Sequence, residues 1–140
     1  MIVLDTDHLS VLKYDESPAC QALRRRLKSS GASVTTTIVC VEEQLRGWLG
    51  YIKAQPDAVR QVMAYSELHS SLRFFQLFQL LAYDLAAASI FGDLKRQRIR
   101  IGTQDLKIAA MVQANDATLL SRNLKDFSKV PGLKVQNWLE

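Results

Sequence analysis

The chain has 140 residues, enough for one domain with a hydrophobic core. Its 48% apolar content sets it apart from disordered chains, and its net charge of +4 permits an anionic partner without requiring one. No apolar run approaches the roughly 20 residues of a membrane span. No basic segment leads into an apolar one as in a secretory leader. Cys20 and Cys40 lie far apart without a CxxC, which argues against a zinc site or disulfide scaffold and fits a reducing cytosol.

Ile2–Leu4 is a short, continuous apolar run, the pattern of a central parallel strand buried on both faces. It ends in Asp5-Thr6-Asp7, and a first helix is expected over residues 7–14. Ser17-Pro18 then reads as an N-cap with proline at the first helical position. That helix turns Leu23 and Leu27 inward and closes at Ser30-Gly31. The β-branched stretch 33–37 predicts a second strand. Residues 39–52 predict a helix with Val41, Leu45, Trp48, Leu49 and Ile52 as its apolar stripe. A break at Pro56 precedes a helix over 57–72. Residues 79–82 read as a short strand, and Asp84 caps a helix running to Leu94. Thr103 is the expected cap of a further helix whose Leu106 and Ile108–Val112 make it apolar nearly all round, hence buried. Strands over Thr118–Leu120 and 133–135 complete the chain. No linker or repeat divides residues 1–140, so one three-layer α/β/α domain with a mainly parallel sheet is expected.

In such sheets, sites lie beyond the carboxyl ends of the strands. Asp5 stands there, and other acids sit beside predicted buried structure: the Glu42-Glu43 pair, Asp105 and Asp126. Each has an ordinary alternative. Asp105 can serve the helix dipole, Asp126 can be a solvated loop acid, and Asp5 or Asp7 can cap the first helix. Neighbours on a helix point about 100° apart, so one of Glu42 and Glu43 faces the site and the other faces solvent. Glu43 shares its stripe with Gly47 and Gly50, which leave room beside it, and is the favoured one. Carboxylates at about 5 Å repel by roughly 3 kcal/mol per pair at an effective dielectric near 20, so such a gathering implies a cation. Oxygen-only ligands favour Mg²⁺ or Mn²⁺ over zinc. His8 and His69 are too few for a zinc cluster; His8 reads as a helix-start residue and His69 as surface. Acid-rich sites of this kind act on phosphodiesters, where basic side chains hold the backbone. Arg46, Arg96, Arg98, Arg100, Arg122 and Lys125 are the candidates.

Together the motifs resemble the PIN-domain ribonucleases, specifically the VapC-type toxins of toxin–antitoxin pairs. "IVLDTDHLS" resembles the family's first strand and first acid, Asp5. "TTTIVCVEEQLRG" resembles its second strand and Glu helix, where the acid stands four residues before a glycine, selecting Glu43. "IGTQDLKIAA" carries the third acid, Asp105. "LLSRNLKDFSKVPGLKVQNW" resembles the closing segment, with Asn123 and Asp126 both near the fourth position. The resemblance implies a Mg²⁺- or Mn²⁺-dependent endoribonuclease whose metal is held by Asp5, Glu43, Asp105 and Asp126. Thr6, Ser121 and Asn123 would assist, and Asp7 would cap the first helix or act at second hand. Cys40 is read as a small-residue packing position. It also implies a cytoplasmic homodimer, an RNA substrate (transfer or ribosomal) and a small antitoxin, for which residues 74–81 and the Trp48 helix offer surface. Two other readings stay open. "LDTD" after a strand also resembles haloacid-dehalogenase-type phosphatases, with Asp5 as nucleophile, and a non-catalytic RNA-binding domain would carry a degenerate site.

Overall fold

A computed structural model describes residues 1–140. Its element order is β1 (Ile2–Leu4), α1 (Thr6–Tyr14), α2 (Pro18–Ser30), β2 (Val34–Thr35), α3 (Ile38–Ala54), α4 (Ala58–Phe75), α5 (Leu85–Arg96), α6 (Thr103–Ala114), β3 (Thr118–Leu120), α7 (Leu124–Phe127) and β4 (Lys134–Gln136). The four strands form one sheet in the order β2-β1-β3-β4, and every pairing is parallel. β1 is central, and all three of its residues are buried, as a strand covered on both faces must be.

Strand order determines where the helices go. The chain leaves β1 toward β2 through α1 and α2, then returns past β1 to β3 through α3–α6. Right-handed crossovers in opposite directions put these two groups on opposite faces of the sheet, giving three layers. Because every strand runs the same way, all carboxyl ends share one edge. The direction of winding reverses beside β1, so the crevice between β1 and β3 at that edge is the topological switch point.

The helices follow their local signals. Ser17 caps α2 through the Cys20 amide, Pro18 is its first residue, and Gly31 closes it at φ +66°, a left-handed conformation that suits glycine. Asp57 and Asp84 cap α4 and α5 by the same kind of bond. α6 buries Leu106 and the run Ile108 to Val112 against its neighbours.

Four expectations shift. The 79–82 strand reduces to one bridge between Leu81 and Thr37 at the sheet's edge. The last strand lies one residue later than expected, over Lys134–Gln136. Gly102, not Thr103, occupies the N-cap of α6, without a side-chain bond, and Thr103 is the first helical residue. Leu49 does not join the buried stripe of α3: it is 59% exposed. Only the first turn of α3, with Val39, Cys40 and Val41, is buried against the sheet side; farther along, Ile52 is the buried residue.

Candidate active site

Strand register brings the first two site residues together. Leu4 pairs with Leu120, and the Asp5 amide extends the ladder to the Leu120 carbonyl at 3.0 Å. Asp5 and Ser121 therefore emerge side by side at the switch point. The Ser121 hydroxyl donates to Asp5 Oδ2 at 2.8 Å, and the Thr6 amide donates to Oδ1 at 2.8 Å. Asp5 is buried, and burial raises its proton affinity above that of an ordinary carboxyl despite these two donors; Asp7 pushes the same way.

Glu43 reaches the same edge because α3 starts directly after β2. Cys40, in the first turn, is fully buried with its Sγ 3.9 Å from Asp5 Oδ1; Glu43 follows one turn later on the same side. Burial, then Asp5, then Asp105 raise the Glu43 pKa. The Cys40 thiol is pushed up to about 12 by burial and by Asp5, so it remains protonated and packs as a small residue. Glu42 turns outward. It pairs with Arg46 at 2.7 Å and accepts from Gln104 Nε2 at 2.7 Å, linking α3 to the first turn of α6. The helical stripe thus separates the two glutamates as expected.

Asp105 projects from the first turn of α6 toward this group. It is half-buried, and burial, Asp5, Asp126 and Asp7 all raise its pKa. Asn123 lies between Asp105 and Asp126: its Nδ2 is 3.5 Å from Asp105 Oδ2 and 3.1 Å from Asp126 Oδ2. Asp126 differs from the other three acids. Asn123 and Lys129, whose Nζ is 3.5 Å from Oδ1, hold its pKa below the usual value. It stands at the rim, already compensated.

Asp7 does not cap α1. The N-cap position belongs to Asp5, and Asp7 lies in the first turn. Its Oδ2 accepts from the Arg122 amide at 2.9 Å, and its Oδ1 meets His8 Nδ1 at 2.5 Å. His8 is buried, and its Nε2 accepts from the Trp138 amide at 3.2 Å, which assigns the ring proton to Nδ1. Asp7 therefore ties α1 to the loop after β3. The charge-assisted bonds to His8 and Arg122 lower its pKa in spite of burial. Sequence reasoning missed this link because its partners are a backbone amide and a tryptophan amide more than a hundred residues away.

The donor set suits a hard divalent cation. Asp5, Glu43 and Asp105 present oxygen only, burial raises the proton affinity of each, Asp5 adds to that of the other two, and no cation pairs with them. Thr6 Oγ1 is buried beside them without a hydrogen-bond partner. As they stand, no three acidic, histidine or cysteine side chains form a group that could hold a metal ion among themselves alone. The acids line an open edge, which accords with Mg²⁺, an ion that retains several waters and takes one or two carboxylates directly. Among the basic candidates, Arg46 and Arg96 are paired with Glu42 and Asp93, whereas Arg98, Arg100, Arg122 and Lys125 have no carboxylate partner. No helix is long and apolar enough to cross a membrane.

No family model matches the chain. Over 48 residues it is 48% identical to the ribonuclease VapC1 of Rickettsia felis, a match covering 34% of this chain and 36% of that protein. In the next curated relatives, also VapC ribonucleases, the matched segment spans about half of the relative's length. Among solved structures, VapBC-1 from nontypeable Haemophilus influenzae superposes with a TM-score of 0.69 at 21% identity, covering 100% of both chains. A toxin–antitoxin complex from Klebsiella pneumoniae gives 0.66 at 20%, covering 99% of this chain and 98% of that one. The fold likeness to these toxin–antitoxin structures extends over the whole chain, whereas the sequence likeness to VapC ribonucleases covers a third to a half of it.

Proposed function

We propose that this chain is the toxin of a toxin–antitoxin pair, a divalent-metal-dependent endoribonuclease that acts in the cytoplasm and arrests translation by cutting RNA. The observation that carries this reading is the convergence of Asp5, Glu43 and Asp105 at the switch point, where burial raises the proton affinity of all three, Asp5 adds to that of the other two, and no cationic side chain pairs with any of them. Asp5, Glu43 and Asp105 would hold Mg²⁺ or Mn²⁺, with Asp126 and Asn123 closing the rim. When bound, the ion supplies an activated water and charge stabilisation for the leaving oxygen of a phosphodiester.

The remaining work falls to the chain itself. Ser121 and the Thr6 amide hold Asp5 in one orientation. Asp7 anchors the Arg122 amide and so the loop that carries Asn123. Arg98, Arg100, Arg122 and Lys125 are free to hold phosphates on either side of the cut. Full-length structural likeness to toxin–antitoxin complexes supports a small antitoxin as partner, and the working form in this reading is a homodimer. A phosphatase with Asp5 as nucleophile needs Asp7 as its proton carrier, and Asp7 is already engaged by His8 and Arg122.

Asp105→Asn tests the reading. The variant should fold as the parent does, lose Mg²⁺- and Mn²⁺-dependent cleavage by at least about 100-fold and lose toxicity on induction. Cleavage at the parental rate would remove Asp105 from the site. Absence of tight Mn²⁺ binding by the parent would point to a non-catalytic RNA-binding domain.

A further inference from the structure

A groove of about 720 Å³ opens directly from the acidic edge, with Thr6 and Glu43 at its inner end. Its walls carry Tyr14, Gln44, Trp48, Tyr51 and Glu67. Trp48 and Tyr51 meet edge to face, with centroids 5.7 Å apart and an interplanar angle of 76°. Tyr14 is held from behind by Lys13, whose Nζ stands 4.6 Å from the ring centroid and donates to the Ser71 hydroxyl at 2.7 Å. Gly47 forms part of the floor, and nothing lies within 4 Å of where its Cβ would be.

We propose that this groove is a base-binding subsite, which takes the unpaired nucleobase next to the cleaved phosphate and prefers guanine. The inference rests on the nuclease reading and adds a specificity determinant to it. Three observations carry it. The groove is continuous with the acidic edge through Thr6 and Glu43, so whatever fills it adjoins the reacting phosphate. Its lining includes no Lys or Arg but has two carboxylates, which disfavours a phosphate or an acidic group and suits a neutral ring bearing N–H donors. Its aromatic side chains provide the stacking faces by which proteins hold splayed-out RNA bases. Guanine presents adjacent N1–H and N2–H donors, the edge that matches an acceptor-only carboxylate such as Glu67, with Gln44 able to serve either polarity. The volume lies within the roughly 300–1,000 Å³ of ordinary ligand clefts and accommodates a nucleotide rather than a bare ring.

Two measurements test it. In the first, the parent is titrated in Mg²⁺ with each of the four nucleoside 5′-monophosphates, and the Trp48 indole N–H, assigned through Trp48→Phe, is followed by NMR. GMP should shift it with an affinity roughly tenfold above that of UMP, and Glu67→Gln should abolish most of that difference. In the second, cleavage sites are mapped on a single-stranded RNA. Trp48→Ala should raise KM roughly tenfold and relax the base preference beside the cut, with kcat changing less, and Trp48→Phe should restore most of the loss. Parental KM and cut sites in Trp48→Ala overturn the proposal while leaving the nuclease intact, as does nucleotide binding that never perturbs Trp48. If Trp48→Ala cuts RNA normally but no longer binds the co-expressed antitoxin, the groove is a protein-binding surface and the proposal falls. If the parent cuts no RNA, the nuclease reading fails, and the GMP titration still decides the groove.

Discussion

Asp5 holds its charge against burial with help from the Ser121 hydroxyl and the Thr6 amide, and burial still prevails. Glu43 and Asp105 share that condition: burial raises both, Asp5 adds to both, and Asp105 adds to Glu43. The consequence for stability has a definite sign. A carboxyl whose pKa is raised on folding stabilises the fold when protonated, and that contribution is lost as pH rises through the raised value. Asp7 and Asp126, with lowered pKa values, act oppositely: their contribution is present above the ordinary carboxyl range and is lost as pH falls. From pH ~4 toward neutrality, in EDTA, the three raised acids should therefore subtract stability. Urea unfolding across this range should show a shallower decline in Asp105→Asn than in the parent. At neutral pH the variant should be more stable by about 1 kcal/mol, the usual scale of relief at a strained functional site. A less stable variant would mean that the acids do not repel as described.

At the scale of elements, α1 is pinned at both ends of the chain's course. Asp7 in its first turn holds the Arg122 amide after β3, and His8 beside it accepts from Trp138 beyond β4. These bonds position the loop carrying Ser121 and Asn123 against Asp5. Asp7→Ala leaves the Arg122 amide and the buried His8 ring short of a partner, a loss of about 2 kcal/mol in equilibrium unfolding. Asp7→Asn retains an acceptor and should recover part of it. Neither change should abolish RNA cleavage, since Asp7 braces the loop; complete loss in Asp7→Asn with the fold intact would place Asp7 in the cleavage chemistry itself.

For the whole molecule, the layout separates charge. The acids lie at the switch point, and the unpaired cations Arg98, Arg100, Arg122 and Lys125 lie exposed on the loops after α5 and β3 and on α7. If RNA crosses from the groove past the acids to these cations, binding must weaken with salt. Each phosphate neutralised on a single strand adds about 0.7 to the slope of log K against log salt. Replacing both Arg98 and Arg100 by alanine should lower that slope by about 1.4, measured with cleavage-dead Asp105→Asn. Divalent cation should also stabilise the folded chain, by about 2.7 kcal/mol at a concentration 100 times its dissociation constant, and should do so far less in Asp105→Asn.

Local signals in the chain were enough for its longer helices and for several of their caps, though not for that of α6, which falls on Gly102 rather than Thr103. Ser17-Pro18, Asp57 and Asp84 are short-range devices, and a helix apolar nearly all round must be buried wherever it lies. The same holds for Glu43 over Glu42, since helical spacing alone turns one inward. The strands were less legible: two or three apolar residues do not define a register, so 79–82 became a single bridge and the last strand shifted. Tertiary structure alone brought Asp5 beside Ser121, because that contact depends on pairing Leu4 with Leu120 across more than a hundred residues. It also decided that Asp7 braces a loop rather than capping α1, that Asp126 is already compensated by Lys129, and that a tyrosine of α1 and a glutamate of α4 face the tryptophan of α3 across one groove. Short-range chemistry can be read along a chain, whereas proximity between distant residues exists only once strand order and crossover hand have been chosen.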